Sequence, residues 1–290
     1  MKKTITLFQT FLILLVLVYS CVKKEDDKTK SIQTDTTKTS AVKIDTITSM
    51  DDLWNLDSAV YRAPDGECFW FYSFKEPENT SDDNNYGMNL MKMTETNKPC
   101  DGETFDGKDR KYSKIRLENA EQEEFDNLKQ FRETLPDDDV IGSKTHKPPI
   151  QTGENSKRVI EEKRNVFIKQ AWFYTYSRQS DEDYHVIVGD SPDKTKAHFF
   201  NIEISGLPPK SSSSYKKLKE ARDYFQSFFN LKTCKSGYIP FPKKPIEVEF
   251  AGTIFFDKLH YSNHGDIGHG YAKGDSYWEI HPVSYIKFKK

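Results

Sequence analysis

The chain has 290 residues, 43 Lys+Arg against 45 Asp+Glu, a formal net charge of −2, and 36% hydrophobic and 13% aromatic residues. That balance excludes a strongly polybasic or polyacidic protein, and four cysteines are too few for a fold built on disulfides. No CxxC or zinc-type spacing, GxxxxGK[ST] phosphate loop or GxSxG nucleophile elbow occurs, which removes the most legible zinc-ribbon, NTPase and serine-hydrolase signatures.

At the amino terminus, Lys2 and Lys3 precede an apolar run at 7–19, LFQTFLILLVLVY. It is too short for a comfortable membrane span and is placed as the core of a signal peptide, so residues 1–20 are expected to be removed. The run ends in Val18-Tyr19-Ser20-Cys21, which resembles a bacterial lipobox, although Tyr19 departs from the small or aliphatic residue usual there. The following Lys23-Lys24-Glu25-Asp26-Asp27 resembles the export tag of Bacteroidetes-type surface lipoproteins. These resemblances imply that Cys21 becomes a palmitate-bearing new amino terminus. They also imply an outer-membrane lipoprotein of the bacterial cell envelope, exposed at the surface, with no transmembrane span after processing. Residues 21–44, rich in Lys, Asp and Thr, lack the apolar surface to fold and read as a flexible tether.

Residues 45–135 read as a smaller α+β region of unknown role. ECFWFYSF (67–74) and YGMNLMKM (86–93) suit neighbouring strands, and NAEQEEFDNLKQFRETL (119–135) sets Phe125, Leu128, Phe131 and Leu135 at helical spacing before Pro136. The acids, glycines and Pro148-Pro149 pair of 136–157 carry no apolar period and read as a linker. With Cys21 assigned to lipid, Cys68 and Cys100 are the expected disulfide, and Cys234 is left over.

Residues 158–290 are more orderly. NVFIKQAWFYTYSR (165–178), DYHVIVGD (183–190) and AHFFNIEISG (197–206) form three strands in a meander. Leu218, Ala221, Phe225 and Phe228/Phe229 then mark the buried side of an amphipathic helix. IEVEFAGTIFF (246–256) and YWEIHPVSYIKF (277–288) add two strands around a glycine- and histidine-rich loop. The fold class is α+β, mainly β, with a C-terminal βββαββ domain. That is the element order of the OB-fold, a five-stranded Greek-key barrel. The segments DYHVIVGD, FNIEISGLP, FAGTIFFD and WEIHPV resemble a group of poorly characterised bacterial OB-like domains, EIHPV being the most distinctive part; the resemblance implies a fold and no particular activity.

Alternation puts His185 on a face with Asp183, Asn201 with Glu203, and Glu279 with His281. If these faces converge with Asp257 and His260, the set His185, Asp257, His260, Glu279 and His281 has the imidazole and carboxylate chemistry to hold a divalent metal or to act as acid and base. Trp172, Tyr174 and Tyr176 alternate on the first strand as candidate stacking residues for an oligonucleotide or sugar. Three functions follow: a membrane-tethered binding module for a nucleic acid, a sugar or a protein; a metal-dependent hydrolase or nuclease; or a structural envelope protein with a protein partner.

Overall fold

The computed structural model describes residues 45–50, 52, 58–72, 98–99, 103–231, 233–234, 237–239, 242, 244–269 and 272–289, all within one unit. The expected leader, Cys21, the tether and the expected strand at 86–93 lie outside them. In chain order, β1 (Asp45–Ile47), β2 (Ser58–Arg62) and β3 (Cys68–Tyr72) make a small sheet, followed by β4 (Lys98–Pro99), a single helical turn α1 (Lys111–Lys114) and β5 (Gln122–Phe125). Two short helices, α2 (Leu128–Arg132) and α3 (Asp138–Gly142), precede the barrel.

The barrel begins with the antiparallel meander β6 (Asn165–Arg178), β7 (Tyr184–Gly189) and β8 (Phe199–Ile204). Helix α4 (Tyr215–Phe228), β9 (Thr233–Cys234) and β10 (Gly237–Tyr238) intervene before β11 (Ile246–Phe256). A short helix α5 (Lys258–Asn263) and β12 (Ile267–His269) lead into β13 (Ala272–Phe288). β13 pairs in parallel with β8 and antiparallel with β11, and β11 pairs with β6, so five strands close in the order β6-β7-β8-β13-β11. A closed barrel leaves none of these five strands as a free edge. The expected loop between the last two strands is in part regular: β12 folds back on the start of β13, and Gly268 sits at φ +102° where an added Cβ would lie 2.2 Å from the Ala272 carbonyl oxygen.

Aromatic residues fill the barrel end that α4 covers. The helix buries Leu218, Ala221, Arg222, Phe225 and Phe228, the face its periodicity requires. Phe228 stacks on Phe288 at 4.2 Å, Phe225 meets Tyr176 edge-on at 5.0 Å, and the next residue, Phe229, lies 5.3 Å from Phe173. Tyr61 and Phe69 of the small sheet pack on the same rings.

The expected helix at 119–135 is instead a strand followed by a helix. β7 reaches β6 only from Trp172 onward, which leaves the first part of β6 without a neighbour on that side, and Gln122–Phe125 pairs there with Asn165–Ile168 in parallel. Asn127 then caps α2, its side chain accepting from Gln130 N at 3.0 Å. The apolar positions still face inward: Leu128 and Phe131 are buried, and Phe125 and Leu135 pack against the core. The stretch expected as a linker is packed as well. Asp138 of α3 accepts from Tyr277 N and Ser276 Oγ, Trp278 Nε1 donates to Pro136 O at 2.8 Å, and Ile141 and Ile150 are buried.

Candidate functional site

Strand alternation sorts the residues of β7, β8, β11 and β13 into two sides. Tyr184, Val186, Val188, Phe200, Ile202, Ile204, Ile254, Phe256, Trp278 and Ile280 join the main core. The outer side therefore carries His185 on β7, Asn201 and Glu203 on β8, Phe255 on β11, and Glu279 and His281 on β13. Register brings them together, because His185 lies opposite Glu203, and Glu279 lies opposite both Asn201 and Phe255. Asp183 joins them from the residue before β7.

This outer side is covered by the chain itself. Residues 103–118 cross it: Phe105 N donates to Leu207 O at 3.1 Å, Asp106 N to Asp181 O at 3.1 Å, and Ser205 Oγ to Lys114 O at 2.9 Å. Gly206 lets that strap lie close, since a Cβ there would stand 2.6 Å from Phe105 Cα. Under this cover Asp183 and His281 are 0% exposed, Glu203 and Glu279 1%, and Asn201 3%.

Among the described residues, each of three side chains is hydrogen-bonded through one atom and lacks an aligned hydrogen bond at the other. Asp183 Oδ1 accepts from Gly206 N at 2.6 Å, while Oδ2 has no hydrogen-bond partner. Glu203 Oε1 takes the Asn201 amide at 2.8 Å and His185 Nε2 at 3.0 Å, while Oε2 has none. His281 Nδ1 is bonded to Glu279 Oε1 at 3.1 Å, while Nε2 has none. The bare atoms approach charged neighbours without hydrogen-bond alignment: His281 Nε2 stands 3.3 Å from Asp183 Oδ2, and Glu203 Oε2 stands 2.8 Å from His281 Nδ1. Ligand atoms from Asp183, Glu203 and His281 all lie within 4.8 Å of one another, so this buried group has the composition and spacing to hold a metal ion.

Burial and charge compete across the cluster. Burial alone would raise the Glu203 carboxyl, but the His185 and His281 imidazoles hold it well below the usual carboxylate range. Burial likewise disfavours the charged imidazoles, yet Glu203 lifts His185 to about 9, and Glu203 with Asp183 lifts His281 well above its ordinary value. Glu279 carries the cost: burial first, and then the Glu203 charge, push it up to about 7. Asp183 is also raised by burial.

Of the residues expected to form the site, His185, Glu279 and His281 meet here. Asp257 and His260 form a separate pair at the start of α5, where Asp257 accepts from His260 N at 3.0 Å and from the His260 ring. Their charges reach the cluster, but their atoms are not in the ligand group. Asp183 and Glu203 take their place, and alternation already put both on the polar faces. The stacking expectation needs correction for two of its three residues. A β-bulge between Phe173 and Thr175 breaks the alternation of β6, turning Tyr176 into the main core and Tyr174 to the outer side, where its ring is buried against Phe199 and its hydroxyl donates to Ser191 O at 2.8 Å. Trp172 is half-buried against that second cluster. Cys68 is disulfide-bonded, and the expected pairing with Cys100 falls outside the described residues.

A second feature is an open cleft of about 510 Å³ between the α2–α3 segment and the β11–β13 connection, lined among others by Arg132, Asp138, Asp139, Tyr261 and Tyr277. Its polar groups are largely engaged with one another: Asp138 with Tyr277 N, Asp139 with the Tyr261 hydroxyl, and Arg132 with Asp275. Fold and site together define a closed five-stranded OB-like barrel that carries a buried Asp/Glu/His group on its outer side. No family model, curated protein or solved structure matches the chain.

Proposed function

We propose that the protein is an envelope-tethered cation-binding module, holding a divalent metal on Asp183, Glu203 and His281. The observation that carries this reading is the pattern of anchored and unaligned atoms: three side chains fixed through one polar atom, each turning the other toward its neighbours without an aligned hydrogen bond in a place closed to bulk water. Buried ion pairs repay their desolvation only when the geometry is good and the remaining lone pairs are satisfied, a deficit here that coordination would remove. The Glu279 carboxylate behind His281 Nδ1, and the His185 and Asn201 contacts to Glu203, act as orienting groups of the kind that fix ligands around a metal. One imidazole nitrogen with two carboxylate oxygens favours zinc or another transition metal over calcium or magnesium. The lipid tether comes from the leader and the lipobox-like Cys21, and would hold the barrel at a membrane surface.

Two competing readings are weaker on the same geometry. The β7–β8 side, where OB barrels receive oligonucleotides, carries Glu203, lies beside Glu279 and is covered by the strap, so it suits a cation better than a polyanion. A hydrolase needs an open metal position that substrate can reach, whereas the three ligands are at most 1% exposed. The test is metal analysis and thermal unfolding of the purified protein, with and without chelator. Near-stoichiometric zinc or cobalt is expected, with a lower Tm after chelation and loss of the metal in Glu203→Gln and Asp183→Asn. Folded wild-type protein that takes up no metal at any ratio sinks the proposal.

A further inference from the structure

We propose that Lys114 is the built-in counter-ion of this cation site and sets its affinity, so that an ammonium carried in by the strap competes with the metal for the same carboxylates. The inference rests on the cation-binding reading above. Lys114 ends α1, and its carbonyl accepts from Ser205 Oγ, which fixes the residue over the end of β8, two positions past Glu203. Its ammonium lies 5.7 Å from the centre of the Phe255 ring. That ring packs 5.5 Å from the His281 imidazole and sits opposite Glu279 in register, so Lys114 shares a wall with the proposed ligand set.

A second cation touches the same ring but is committed elsewhere. Arg110 stacks on Phe255 at 4.4 Å and is held by both Glu162 oxygens, at 2.7 and 2.8 Å, and by the Phe256 carbonyl. Among the described residues Lys114 makes no direct ion pair, so its charge is not matched to one carboxylate. It acts on Glu203, Glu279, Asp257 and Asp183 together, and these four charges hold the ammonium protonated although burial alone would lower it. A further positive charge beside these carboxylates leaves a pocket that attracts a divalent ion less strongly than it would without the ammonium. The repulsion acts in a partly desolvated space, where a unit charge several ångströms away still matters.

The test uses the full chain and zinc as the probe. Lys114→Met keeps the apolar stem against Phe255, Lys114→Gln is its polar counterpart, and Lys114→Arg keeps the charge. Removing the charge should tighten zinc binding by ~10-fold or more, while Lys114→Arg stays near wild type. The metal-free Tm of Lys114→Met should fall and the Tm gained on adding zinc should grow, a pairing that a purely structural lysine would not produce. Unchanged or weaker zinc binding in whichever of Lys114→Met and Lys114→Gln folds, with wild-type binding intact, overturns the counter-ion role alone. Wild-type protein that binds no zinc overturns it together with the reading it rests on.

Discussion

His185 and Glu279 stand on opposite sides of Glu203 and answer to it in the same direction. The His185 imidazole is raised to about 9, so its contribution to stability is complete below its unfolded value near 6.5 and is lost as pH rises through about 9. Glu279, raised to about 7, favours the folded state only while protonated: that contribution is complete below about 4.5 and is lost as pH rises through about 7. Both terms fall with increasing pH. Glu203 runs the other way but is held so low that its loss belongs to strongly acid solution. Metal-free protein should therefore have a lower urea midpoint at pH 9 than at pH 6, and His185→Asn should flatten the slope between pH 7 and pH 9. A midpoint that rises steadily from pH 6 to pH 9 would contradict the arrangement of charges in the cluster.

Much of this cluster was legible from alternation along three strands, since the polar side of each could be read directly from DYHV, NIEI and EIH. The strap residues were not. Lys114 and Arg110 come from a stretch with no periodicity, and their meaning depends on partners far along the chain: Glu162 for Arg110 and the end of β8 for Lys114. Arg158 is a similar case, buried and donating to the carbonyls of Ile254, Arg116 and His281. A lone arginine in a polar stretch reads as surface, and only the fold reveals that it ties three segments together.

At the level of elements, α4 is the piece on which barrel closure depends most visibly. Phe225 is 0% exposed and touches Tyr176, Tyr184 and Phe229 at ring distances of 5.0 to 5.2 Å. Phe225→Ala should cost ~3–5 kcal/mol by leaving a cavity among rigid rings, measured as a fall in the denaturant midpoint with an unchanged slope. A loss under about 1 kcal/mol would mean that the helix does not stopper the barrel. The strands themselves were legible because they are long, β-branched and aromatic: β6 and β11 begin and end where their residues say they should. The 119–135 stretch was not, because apolar residues at helical spacing can also be buried by a four-residue strand and a capped turn when an open length of β6 needs a partner.

For the whole molecule, the proposed leader and lipid-bearing Cys21 carry a prediction of where it is found. Cys21→Ala should move the protein from the membrane fraction to the soluble fraction without altering the Tm of the folded body, and an unchanged membrane fraction would remove the lipid anchor from the proposal. No helix among the described residues is long and apolar enough to cross a membrane.

The crossing of residues 103–118 over β8 also constrains the order in which the chain can complete itself. Arg158 must find the carbonyl of His281, 123 positions later, and Arg110 must find that of Phe256, 146 positions later. A thread emerging amino end first carries these basic groups, and the strap with them, well before the last strand exists to receive them. Closure across such separations is intrinsically slow, so the final folding step of the newly made chain should be the seating of early-made residues onto a surface that only late-made residues finish.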